Sequence, residues 1–106
     1  MTELPTENVI YICNKSIDIL RTDICIEDKF TELVIMLEKE AGIVIAFCEI
    51  LIPRWKFIAG SKDFTTPLYK YSNEVSRYGI MVQDWGLLEN ESTRLIDVLF
   101  ENINSK

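Results

Sequence analysis

The feature that most constrains the fold of this chain is the run 43–52, ten residues in which Glu49 is the only charged side chain and which Pro53 ends. Such a run has to be buried. Its length and β-branched content suit a strand. A strand, however, sets Glu49 on the same face as Ile43, Ile45, Phe47 and Leu51. A helix gathers Ile43, Val44, Phe47, Ile50 and Leu51 on one arc and turns Glu49 away. Burying an unpaired carboxylate costs several kcal/mol or forces its protonation, which favours the helix. Against it, Gly42 would have to separate two helices abruptly.

Four further segments carry a helical period. In 28–41, Phe30, Leu33, Val34, Leu37 and Ala41 keep the i, i+3, i+4, i+7 spacing, with Asp28 placed to start the helix and Gly42 to end it. In 7–21 the stripe is Val9, Ile10, Cys13, Ile17 and Leu20, with Thr6 after Pro5 as N-cap. In 91–104 it is Leu95, Ile96, Leu99 and Ile103, opposite Arg94, Asp97 and Glu101. In 67–78, Leu68, Tyr71, Val75 and Tyr78 form a stripe behind Thr66 as N-cap and Pro67 at the first helical position, with Gly79 just past the end. No Asn-Gly, Asp-Gly or Gly-Gly pair marks a tight hairpin. The expected fold is therefore mainly α, a compact helical bundle forming one domain over 1–106. The alternative is α+β, with a small sheet from 43–52, 54–60 and 79–86.

The function classes narrow by composition. The chain has no histidine, the commonest general acid–base at neutral pH, and no G-x-S-x-G, P-loop, G-x-G-x-x-G or S-x-x-K motif. Asp97 and Glu101 stand one helical turn apart but lack the clustered oxygen ligands that a hard cation needs. Cys13, Cys25 and Cys48 are odd in number, form no C-x-x-C pair and sit among apolar neighbours, which suggests buried thiols. No enzyme activity, cofactor or metal is expected. The net charge is −6 and the pI near 4.6, so a nucleic-acid partner is not expected either. The apolar run is far shorter than a bilayer span and the N-terminus is acidic, so the expectation is a cytoplasmic protein without a membrane partner.

Charge is unevenly spread. Residues 1–53 carry four basic and ten acidic side chains, 54–77 five basic and two acidic, and 78–106 two basic and five acidic. The acidic flanks are the better candidates for a partner surface. Within them, 78–91 combines Tyr78 and Trp85 with Asp84, Glu89 and Glu91, around Gly79 and Gly86. Aromatic anchors carry interface energy, and carboxylates around them attract basic partners. Trp85 has a competing role as a core side chain, with Gly86 as a turn. Tyr69 and Tyr71 cannot both face one helical stripe, which leaves Tyr69 as an exposed aromatic. Trp55, between Arg54 and Lys56, is expected to be buried under their alkyl stems.

A compact acidic domain with exposed tyrosines (Tyr69, Tyr78) and carboxylates, and no catalytic motif, resembles the bacterial immunity proteins of contact-dependent growth inhibition. The resemblance is one of size, charge and missing motifs across the whole chain, and it carries over no individual position. It implies a chain that is monomeric when free and neutralises a cognate basic toxin, such as a nuclease, by occlusion. Association should then slow as salt is added, and charge reversal at Asp84 or Glu89 should weaken the complex more than reversal at Glu3. The competing class is a structural or regulatory subunit acting through oligomerisation, consistent with a mean hydropathy of +0.10.

Overall fold

A computed structural model describes residues 6–73 and 76–103, with side chains from residue 9 onward. Two helices, α1 (Thr6–Leu20) and α2 (Ile26–Ala41), precede a hairpin of β1 (Val44–Leu51) and β2 (Arg54–Gly60). There follow β3 (Tyr69–Tyr71), β4 (Tyr78–Asp84), a 3-10 turn (Gly86–Glu91) and α3 (Ser92–Ile103). The four strands form one antiparallel sheet in the order β2-β1-β4-β3. The fold is thus α+β and not a helical bundle, and three of its strands arise from the three segments of the alternative reading.

The run 43–52 folds as a strand, β1, because the cost held against one is avoided. Glu49 does share a face with Ile45 and Phe47, but it lies near the end of β1 where the core runs out. There Arg77 Nη2 donates to Glu49 Oε2 at 2.8 Å. Gly42 makes the abrupt change of direction itself, at φ 68°. Its N–H donates to the Glu38 carbonyl and that of Ile43 to the Leu37 carbonyl, closing α2 in the left-handed manner typical of glycine. Between β1 and β2 the reversal is made by a cis Ile52–Pro53 bond, which needs no Asn-Gly pair.

The expected helix 67–78 is overturned. Tyr69–Tyr71 pairs with β4, and the Leu68 N–H already donates to the Val82 carbonyl. Thr65 and Thr66 donate their backbone N–H groups to Gln83 Oε1 at 2.7 and 3.0 Å, so the supposed cap is a loop bound to β4. Gly79 lies inside β4, and Val75 falls outside the described residues. The other helices stand with adjustments. The expected stripe of α2 is buried as a whole, although the helix begins at Ile26 with Cys25 as N-cap and Asp28 in its first turn. In α1 the buried face is Val9, Ile12, Cys13, Ser16 and Leu20, while Ile10 is exposed. Buried Ser16 is accommodated because its hydroxyl donates to the Ile12 carbonyl at 2.9 Å.

Helices cover one face of the sheet. Phe30 of α2 stacks on Phe47 of β1 at 4.6 Å, and α1 packs against α2 and α3. Ile45, Phe47, Ile80 and Val82 join the helices in one core. Ala46 and Cys48 point the other way and lie outside that core. The rings of β2 cover this second face: Phe57 lies over Gly60 beside Ala46, and Trp55 lies across the sheet on Gly79.

Candidate protein-binding site

The segment expected to bind a partner begins where β4 leaves the sheet. Asp84 Oδ1 accepts from the Gly86 N–H at 2.9 Å, and the Leu88 N–H donates to the Trp85 carbonyl. Gly86 takes φ 56°, and a Cβ there would overlap the Ala41 carbonyl oxygen. Only glycine lets this turn lie so close to the end of α2. The turn sends side chains alternately in and out. Trp85 goes in: it is 4% exposed, meets Tyr71 edge-on and donates its Nε1–H to Tyr71 Oη at 3.2 Å. Leu88 is fully buried, whereas Leu87 and Glu89 face solvent.

Trp85 is therefore placed in the core, the competing role named for it. Tyr78 is not brought together with Asp84. It sits at the opposite end of β4, about 20 Å from Asp84 at ordinary strand rise. There it packs edge-on against Phe30 with the Arg77 guanidinium 5.7 Å above its ring. Glu91 is half-buried and loosely paired with Arg94 at 3.8 Å. Asp84, Glu89 and Tyr69 remain exposed. Tyr69 pairs with Val82, two residues before Asp84, so these two lie towards the same end of the sheet, and Glu89 follows in the turn beyond it.

Two further residues there are exposed that sequence pattern alone does not single out. Leu68 and Leu87 are 66% and 57% exposed, beside Tyr69 at 44%. Leu68 belongs to the core stripe only in a helix that does not form. Leu87 carried a readable signal, since a tight turn after Gly86 can bury only one of the adjacent pair Leu87 and Leu88. The corner made by the start of β3, the end of β4 and the 3-10 turn thus carries three exposed apolar side chains and two exposed carboxylates.

No family model, curated protein or solved structure matches this chain.

The chemistry open to the remaining polar groups is limited. Burial pushes the Cys13 and Cys48 thiols above their ordinary value of 9.0. Cys25 is exposed, contrary to expectation. The Asp28 backbone hydrogen bond lowers its thiol, but the Asp28 side chain, desolvation and the Glu27 side chain together outweigh this, so it too is raised. Thiols shifted this way hold little thiolate at neutral pH and make slow nucleophiles. Among the described residues no group of three His, Cys, Asp or Glu side chains could hold a metal ion.

Proposed function

We propose that this chain is an immunity protein, which binds a cognate basic nuclease toxin and neutralises it by covering its active site or substrate-binding surface. The observation that carries this reading is the exposure of Leu68 and Tyr69 at the start of β3, and of Asp84, Leu87 and Glu89 at the end of β4 and in the turn that follows it. Apolar side chains supply affinity once water is excluded, and flanking carboxylates select a cationic partner. A nuclease surface that binds phosphates is cationic, so an acidic protein can compete for it without performing any chemistry.

Co-expression with the product of the adjacent gene tests the function. Growth arrest by that product alone, relieved by this chain, is the expected result; a harmless neighbour, or arrest that persists, overturns the reading. The site is tested separately. Asp84→Lys combined with Glu89→Lys should weaken the complex at least about tenfold, equivalent to about 1.4 kcal/mol. Glu27→Lys is the control, because Glu27 is exposed in the first turn of α2, about 20 Å along that helix from its contact with Gly86. It replaces Glu3, which lies outside the described residues. Equal losses in both variants would move the site elsewhere.

A further inference from the structure

The edge strand β2 carries a period-two pattern that the Asp84 corner does not use. Arg54 and Lys56 alternate with Trp55 and Phe57, so one face of the strand bears two cations and the other two aromatic rings. The register shows which face is which. Leu51 and Glu49 stand opposite Arg54 and Lys56, on the side that packs against α2. Ile50 and Cys48 stand opposite Trp55 and Phe57, on the side that no helix covers among the described residues. β2 has β1 as its only strand neighbour, and its outer edge is unoccupied among the described residues. Alongside, α2 and β2 frame a groove lined by Thr31, Val34, Ile35, Glu38, Ile58 and Lys62. Ile35 and Phe57 are each 59% exposed. Arg54, Lys56 and Lys62 form no ion pair among the described residues, and Glu49, opposite Lys56, is held by Arg77.

We infer that the outer edge of β2 accepts an extended segment of another protein in which carboxylates alternate with apolar side chains. Such a segment adds to the sheet as a fifth strand through backbone hydrogen bonds. Its period of two turns the carboxylates towards Arg54 and Lys56 and the apolar groups towards Trp55 and Phe57. Charge selects this occupant: 54–77 is the one net-basic stretch of the chain. Charge also disfavours a second copy, since β2 paired antiparallel with its twin about Trp55 would set Arg54 opposite Lys56 on both sides of the axis. The register shift at Ile58 breaks the edge after four residues, so addition is confined to 54–57 and the affinity is modest. This edge is the lateral opposite of β3, which carries Tyr69, so its failure or success is independent of the proposed immunity role.

The test uses a blocked synthetic peptide, Glu-Val-Glu-Val-Glu-Val-Glu, titrated into the full chain, with the corresponding Lys-Val peptide as control. Amide chemical shifts should move at 54–57 with the acidic peptide and not with the basic one. Affinity should fall at least tenfold in R54E/K56E and also in F57S, both at exposed positions where folding is checked by circular dichroism. No binding, equal binding of both peptides, undiminished binding by R54E/K56E, or shifts centred on Asp84 would overturn the inference. Concentration-dependent dimerisation of the free chain, with shifts at 54–57, would give the edge to a second copy and overturn it as well.

Discussion

Two residues in the left-handed region, Gly42 at φ 68° and Gly86 at φ 56°, differ in what surrounds them. A Cβ on Gly42 would meet nothing within 4 Å, whereas one on Gly86 would overlap the carbonyl oxygen of Ala41. Gly42→Ala should therefore cost only the backbone penalty, about 1–2 kcal/mol. Gly86→Ala adds a clash with main chain that cannot rotate away, and should cost at least about 3 kcal/mol while loosening Asp84, Leu87 and Glu89. Urea unfolding of the two variants measures the difference. Equal losses would mean that the turn does not lie against α2 as described. The same contact explains why Trp85 left the candidate site. Once Gly86 is pressed onto the end of α2, the preceding side chain enters the core, where Tyr71 accepts its N–H.

At the level of elements, what was legible in the sequence was what short-range pattern determines. The stripes of α2 and α3 lie within a few turns of chain and were read correctly, since helix partners sit three or four residues apart. The strand at 43–52 was not, although the physics used against it was sound. An unpaired buried Glu49 would be costly; the cation that pairs it, Arg77, is 28 residues away, and no local pattern reveals that. The stripe of Leu68, Tyr71 and Tyr78 misled for a related reason. Tyr71 and Tyr78 both pack against the core, but from two different strands, so their seven-residue spacing is a coincidence of a loop. Trp55 shows the same limit. Its sequence neighbours Arg54 and Lys56 point to the other face, and the cation near its ring is Lys70 of β3, at 5.6 Å. Of the candidate site, the exposed groups Tyr69, Asp84 and Glu89 were legible, but the exposure of Leu68 and Leu87 depends on strand pairing and turn geometry. The two faces of the sheet can be told apart by their tryptophans. W85F retains only Trp55, half-buried on the uncovered face, and its fluorescence should be quenched readily by acrylamide. W55F retains only the buried Trp85 and should resist quenching. Similar quenching in both would contradict the assignment of the faces.

At the scale of the molecule, folding converts a charge pattern along the chain into a charge pattern in space. The acidic first half becomes α1, α2 and β1, with Glu27, Asp28, Glu32 and Glu38 exposed on α2. The basic stretch becomes the two edge strands and their loops. A basic partner approaching from a distance meets the field of the whole acidic layer, but salt limits how much of it acts. The Debye length is about 8 Å at physiological ionic strength and about 30 Å at 0.01 M. Carboxylates on the first turn of α2, about 20 Å from the corner, thus contribute only in dilute salt. The association rate with the basic partner proposed above should accordingly fall at least about tenfold from low to high salt, with dissociation changing far less. Asp84→Lys with Glu89→Lys should flatten that dependence at every salt concentration, because these groups stay within a Debye length of the partner. Glu27→Lys should lower the rate at about 0.01 M and leave it nearly unchanged at about 0.15 M. Stopped-flow measurement across this range separates the two. A rate that stays flat with salt would remove steering altogether, and would leave affinity to Leu68, Tyr69 and Leu87, whose apolar contacts are insensitive to screening.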